Sequence, residues 1–380
     1  MSQFHISSSD IVVGVPLKWD AFDADGKLLL RKGQIVQSER QLASLIEQGL
    51  FTNAASHQAA HERSELEIKT ETPSALRKLN TANKRMERLL LNLNPGPDTK
   101  PAILDIVKLI IEAVDLQRDI ALGCIVLNQS AGTYSIRHGI DTAVMALVIM
   151  RSMNKTPDET LIVMAAALTM NLGMQKLQDH LIAQATPPTP DEQEAINRHP
   201  LDSVSLLRAM GIDDPEWLEL VLLHHEKTDG SGYPGGQNNQ LPISQNVKIL
   251  SAADQYCACV SRREYRKTLA HNVALRTVLM PEGKPVDPVL AAHFIKTLGT
   301  YPPGTCVRLN NNEVCVVIEA GDTPATPVVQ ALAGTTGAPL SMPLKRTTVK
   351  QIHGIKEIIP ADPRLLRFSL QQLWGERAAL

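Results

Sequence analysis

Apolar positions recur every three or four residues along most of this chain, and near its two ends they alternate instead. Over 73–93 the residues Leu76, Leu79, Ala82, Met86, Leu89 and Leu90 fall on one stripe, the period of an amphipathic helix. Asn94-Pro95-Gly96-Pro97 breaks it. Residues 98–298 read as further helices, beginning with 98–113 and 119–127. Thr156-Pro157-Asp158-Glu159 is a complete start signal, with threonine as N-cap, proline at the first helical position and glutamate at the third. Thr189-Pro190-Asp191-Glu192 repeats it. Arg198-His199-Pro200 follows, then a helix over 201–210 closed by Gly211, and Pro215 opens another. No strand–helix–strand alternation interrupts these residues, so the domain is all-α.

The ends differ. Residues 1–55 form a small α/β accessory module. A strand over 11–22 is predicted, then a hairpin turn at Asp25-Gly26 and a return over 27–31. The capping box from Ser38 to Gln41 opens a short helix that Gly49 closes. Residues 56–97 are a polar linker followed by the striped helix, which suits either a homodimer contact or packing on its own domain. Residues 299–380 form a small β appendage: strands over 301–309 and 313–318 flank an asparagine-rich turn, 328–331 adds a third, and 362–380 holds a short helix.

Composition narrows the class. Of 380 residues, 43% are hydrophobic and only 3% aromatic, so small aliphatic side chains fill an ample core. A net charge of −2 gives no electrostatic reason to bind nucleic acid or an anionic membrane. The five cysteines form no CxxC pair, which reads as a reduced, cytoplasmic chain. No signal-like N-terminus is present, and apolar runs such as 161–168 fall short of a membrane span.

Chemistry concentrates in one stretch. His224 and His225 end an apolar run and are followed at once by Glu226, Lys227, Thr228, Asp229, Gly230, Ser231, Gly232, Tyr233 and Pro234. As helical neighbours, the two imidazoles would point about 100° apart, so they would serve two metals, or one would ligate while the other packs. Gly230 and Gly232 allow close backbone approach or positive φ. His57 and His61 lie at i, i+4 but have no third ligand, and read as an exposed linker face.

His-His-Glu followed by Asp-Gly-x-Gly-Tyr-Pro resembles the signature of the HD-GYP family of bacterial cyclic di-GMP phosphodiesterases. The resemblance covers residues 134–270 and implies an HD-type helical bundle, mainly α overall, with a centre of two or three metals. It assigns metal ligation to His138, His199, His224, His225 and Asp254. It assigns nucleotide contact to Arg263 and Arg266, and the loop to Asp229, Gly230, Gly232, Tyr233 and Pro234. It also places the name-giving His-Asp pair at Met170-Asn171, within Met170-Asn171-Leu172-Gly173-Met174. Met170 stands for a metal imidazole, Asn171 for the bridging aspartate and Met174 for a phosphate-contacting lysine. Tyr134 stands where three-metal members carry a glutamate.

A thioether is a soft, poor ligand for iron or manganese, and a neutral amide cannot hold two dications together. The expectation is one residual divalent transition metal (iron, manganese, nickel or zinc) and no binuclear centre. Three readings follow. The first is a catalytically impaired signalling module that binds cyclic di-GMP or a partner such as a GGDEF-domain protein. The second is an active metal-dependent phosphodiesterase yielding pGpG or GMP. The third is a helical scaffold that uses neither metal nor nucleotide.

Overall fold

A computed structural model of the chain describes residues 3–5, 17, 19–23, 25–34, 36, 45, 51–53, 73–91, 99–128, 131–236, 242–261, 269–280, 287–360 and 368–379. The chain divides into two compact units, Met1–Thr72 and Pro73–Leu380.

In the first unit, strands β1 (Gln3–His5), β2 (Ala21–Phe22), β3 (Leu28–Leu30) and β4 (Phe51–Asn53) form one sheet in the order β1-β4-β2-β3. The turn at Asp25-Gly26 joins β2 to β3. Gly26 takes φ +81°, and the Asp23 carboxylate accepts from the backbone N–H groups of Asp25 and Lys27. Most of the strand expected over 11–22, the helix expected from Ser38, and His57 and His61 lie outside the described residues.

The second unit is a helical domain carrying a sheet. Its helices are α1 (Ala75–Leu91), α2 (Thr99–Leu116), α3 (Arg118–Leu127), α4 (Tyr134–Ser152), α5 (Pro157–Thr169), α6 (Gln175–Ala183), α7 (Pro190–Ala209), α8 (Pro215–Leu223), α9 (Gln245–Val260), α10 (His271–Leu279), α11 (Pro288–Leu298) and α12 (Leu370–Trp374). Both threonine capping boxes form as the sequence dictates, at Thr156 and Thr189. The stripe of α1 packs into the main core. Helix α4 is the central element, buried from Tyr134 to Met150, and it packs on α5 and α9. That explains its lack of one-sided patterning, since a helix surrounded on every side is apolar all round. Each fully buried aliphatic side chain along it contributes about 1.5–3 kcal/mol.

Pro157–Ala183 is long and apolar enough to match a membrane span by length and composition. It is α5 and α6 joined by a 3₁₀ turn at Leu172–Met174, and over half of its most apolar stretch is buried inside the fold.

Strands β5 (Cys306–Leu309), β6 (Val314–Glu319), β7 (Val328–Ala333), β8 (Pro339–Thr347) and β9 (Ile355–Ile358) form an antiparallel sheet in the order β8-β7-β6-β5-β9. Neither β8 nor β9 was legible in the sequence pattern, because most of their residues are at least partly exposed. Strand β6 is covered on both faces. Val316 and Ile318 meet Phe368 and Leu373 on one side, while Cys315 and Val317 meet Val329 and Ala331 on the other. All five cysteines are free and buried.

Trp374 of α12 ties sheet to helices. Its indole N–H donates to the Ile318 carbonyl at 2.7 Å. A Cβ added at Gly123 of α3 would lie 2.8 Å from its ring, so only glycine lets the two elements approach this closely. The two ends of the unit also meet, because the Ser74 hydroxyl donates to the Ala379 carbonyl at 2.5 Å. Trp374→Ala is expected to lower stability by roughly 2–4 kcal/mol, the range for a large, partly buried aromatic truncated to alanine. Urea denaturation measures this, and backbone amides of β6 are expected to exchange faster than those of α4.

Candidate metal centre

Three imidazoles converge. One nitrogen from each of His199, His224 and His225 lies within 4.8 Å of the others. His199 and His224 are fully buried. Their placement follows from interruptions in helices.

Helix α7 continues through Pro200. The sequence had suggested a break there. Proline has no N–H, so it cannot satisfy the carbonyl four residues back, that of Ile196. The His199 Nδ1–H donates to that carbonyl instead, at 2.5 Å. Helix α8 ends at Leu223, which leaves carbonyls of its last turn without helical partners. The His224 Nδ1–H donates to one of them, Val221, at 2.7 Å. Both rings are therefore held in the Nδ1–H tautomer, and both Nε2 atoms carry a lone pair. These two lone pairs face each other at 3.2 Å. Two buried acceptors so placed repel unless a cation lies between them. A backbone carbonyl orienting the far ring nitrogen is the usual support of a metal-bound histidine.

The helical spacing expected for His224 and His225 does not apply, and this corrects the expectation that they diverge. His224 is the C-cap residue, so the chain turns before His225. The two ring centroids are 4.1 Å apart. Tyr233 stacks on His225 at 4.6 Å between centroids, with an interplanar angle of 28°.

The loop from His225 to Gly236 is fixed by backbone contacts. Glu226, buried, accepts from the N–H groups of Gly235 and Gly236. Asp229, exposed, accepts from the Ser231 N–H and hydroxyl, so it shapes the turn and does not face the imidazoles. Gly230 takes φ +73°. Gly232 lies against the His225–Lys227 backbone. A Cβ there would collide with the His225 carbonyl and come within 2.5 Å of the Lys227 nitrogen and 2.7 Å of the Glu226 Cα.

His138 and Asp254 form a second pair, near enough to the three for Asp254 to interact electrostatically with each of them. His138 on α4 and Asp254 on α9 are both buried and bonded to each other, Nε2 to Oδ1, at 2.7 Å. Tyr134 stacks on His138 at 5.4 Å, and the Arg137 guanidinium lies 5.6 Å from the Tyr134 ring centre.

Burial pushes the Asp254 carboxyl up, but the hydrogen bond to His138 opposes it and the carboxyl is held low. Burial, then the neighbouring His224, brings His199 down to about 3. Burial also lowers His224, and with His224's charge holds His225 well below the ordinary imidazole range. All three are therefore neutral lone-pair donors near neutral pH.

Met170, fully buried, caps α5. Asn171 and Met174, half-buried, belong to the turn that follows. Ser203 of α7 pins this turn: its hydroxyl donates to the Met170 carbonyl at 2.7 Å and accepts from the Gly173 N–H at 2.9 Å. A Cβ at Gly173 would lie 2.7 Å from the His199 carbonyl, so glycine permits the contact. Among the described residues the buried Asn171 Oδ1 has no partner. Arg263 and Arg266 lie outside the described residues. The sequence reading assigned no role to Ser203 or Pro200, and Glu226 entered it only as the last residue of His-His-Glu. Of the first two, only Pro200 carried a local signal, as a proline directly after a histidine.

Residues 124–290 match the family described as HD domain. A cyclic di-GMP phosphodiesterase of Pseudomonas aeruginosa is 27% identical over 221 residues, 58% of this chain and 53% of its own. One of Borreliella burgdorferi is 23% identical over 193 residues, 51% of this chain and 50% of its own. The chain thus spans about half the length of the curated relatives it matches. The solved structure of an HDG"Y"P protein from Bdellovibrio bacteriovorus overlays with a TM-score of 0.48 at 14% identity, over 78% of this chain and 99% of its own, a distance at which nothing about the site carries over. Through residues 124–290 the chain is thus similar to HD domains.

Proposed function

We propose that this chain is a cyclic di-GMP signalling module. Its HD-GYP domain binds the nucleotide, or a partner such as a GGDEF-domain protein, without hydrolysing cyclic di-GMP efficiently. One observation carries the reading. Three imidazoles still converge behind an ordered Gly-Tyr-Pro loop, while the turn next to them offers Met170 and Asn171.

The donor set fits one divalent transition metal on His199, His224 and His225, with an open position left over. When bound there, such an ion supplies positive charge and Lewis acidity. The set does not fit a bridged pair. Met170 offers only a thioether and Asn171 one neutral oxygen, and Asp254 is engaged with His138. Loss of a single preorganised electrostatic contact costs on the order of 10²–10³ in rate. Three such positions, Met170, Asn171 and Met174, are altered together.

The remaining residues serve binding. Glu226 and Gly232 hold the loop, and Tyr233 closes over His225 with its ring half-buried. The alternative, an active phosphodiesterase of unusual metal content, is supported by the opposed Nε2 lone pairs, which are poised to take a metal.

Anaerobic turnover of cyclic di-GMP, with iron or manganese supplied, separates the two. Wild type is expected to be inert, and the Met170→His/Asn171→Asp/Met174→Lys variant to gain hydrolysis. Turnover by wild type that disappears in His224→Ala would establish the alternative. Metal analysis of the purified protein should return close to one equivalent of transition metal, lost in His199→Ala.

The metal-free protein is expected to lose stability as the pH falls from about 7 to about 4.5. The unfolded chain protonates its histidines near pH 6.5, whereas folded His199 resists until about 3, and His224 and His225 are lowered too. Burial holds His271 at about 3 as well. Stability from these four is full above 6.5 and drains away below it. Asp141 and Asp119, pushed up by burial, work in the opposite sense, but they are two groups against four. Urea midpoints that stay level or rise on acidification would contradict this.

A further inference from the structure

The loop joining β8 to β9, residues 348–354, is tied down at both ends and turns its apolar side chains outward. The buried Thr348 hydroxyl donates to the Pro327 carbonyl at 2.7 Å. Asn310 holds the other end. Its Nδ2 donates to the Gln351 carbonyl at 2.8 Å, and its backbone N–H to the Gly354 carbonyl at 2.9 Å. A 3₁₀ turn over Gln351–His353 lies between. Within this frame Val349 is 68% exposed and Ile352 61%. Turning them inward would break the bonds that hold the loop.

Exposed apolar residues concentrate here. Of the twelve large ones among the described residues, four lie within positions 342–352: Met342, Leu344, Val349 and Ile352. Single exposed apolar residues need no explanation, but a cluster marks a contact surface. Positive charge accompanies the cluster. No aspartate or glutamate occurs from Thr323 to Lys356, whereas Lys345, Arg346, Lys350 and Lys356 all fall there. Arg346 bonds Glu313, and Lys345 lies 3.8 Å from Glu319. The next carboxylate along the chain, Glu357, pairs with Arg308 at 2.9 Å. Lys350 and Lys356 are exposed and pair with no described carboxylate. The overall charge of −2 conceals this local excess.

Aliphatic tips interleaved with cations discriminate among partners. Nucleic acid is gripped by basic residues together with aromatic rings on which bases stack, and no phenylalanine, tyrosine or tryptophan lies in 339–358. A second copy of the chain would set lysine against lysine. Pro339 and Pro343 also leave gaps in the row of N–H groups that a strand added to the β8 edge would need. An anionic bilayer answers both features, because its phosphates attract lysines and its headgroup–acyl boundary takes up apolar side chains. We propose that the β8–β9 loop docks on an anionic lipid bilayer, with Val349 and Ile352 entering that boundary and Lys350 and Lys356 against lipid phosphates. Such attachment is peripheral and reversible, and it is independent of the imidazole cluster. Each lysine near the surface contributes about fivefold in affinity.

Co-sedimentation of the full chain with lipid vesicles tests this. Vesicles of phosphatidylcholine and phosphatidylglycerol in equal parts are expected to carry the protein down saturably. Vesicles of phosphatidylcholine alone are expected to leave most of it in solution, and added salt to weaken the binding. Val349→Ser/Ile352→Ser is expected to lower the partition coefficient at least about tenfold, and Lys350→Gln/Lys356→Gln about 25-fold, the product of two fivefold steps. All four side chains are exposed, so the urea midpoint of each variant is expected to match wild type. The proposal is overturned if anionic vesicles bring down no more protein than neutral ones, or if either double variant binds them as wild type does. A short DNA duplex that binds more tightly than the vesicles, through the lysines alone, would overturn it in favour of a nucleic acid.

Discussion

The geometry of the candidate centre depends on backbone carbonyls that helices leave unsatisfied. Pro200 removes one N–H from the middle of α7, and the ending of α8 removes others. In each case an imidazole Nδ1–H takes up the free carbonyl. The exchange settles two matters at once. It satisfies a buried polar group, and it selects the tautomer that turns Nε2 toward the neighbouring ring. Neither histidine needs a carboxylate to orient it, so the arrangement survives in a chain whose own Asp254 is bonded elsewhere.

The same economy explains why the altered turn at Met170–Met174 keeps its shape. Ser203 holds both ends of it, and Gly173 lets it lie against the His199 carbonyl. These contacts are made by backbone and by one hydroxyl. They are indifferent to whether position 170 carries an imidazole or a thioether. Scaffold and chemistry are thus separable here, and the replaced residues need not disturb the fold.

Much of this was legible beforehand because the governing signals were local. Capping boxes at Thr156 and Thr189, the hairpin at Asp25-Gly26, the α1 stripe and the histidine loop each depend on a few neighbouring residues. What escaped was set by distant ones. The bond between His138 and Asp254 joins positions 116 residues apart. The exposed strands β8 and β9 have no burial period to betray them. The expectation that His224 and His225 diverge failed because the helix ends one residue earlier than the pattern of Leu222 and Leu223 suggests.

The contact between Ser74 and Ala379 spans 305 positions. Ala378 beside it belongs to the same core as Leu76 and Leu79 of α1. As the chain emerges from a ribosome, the first helix of the larger unit must wait for residues about 300 positions on before its surroundings are complete. Closure of such a long loop also belongs late in folding, after local helix pairs have formed. An extension fused directly after residue 380 would therefore bear on the helical core as well as on the sheet.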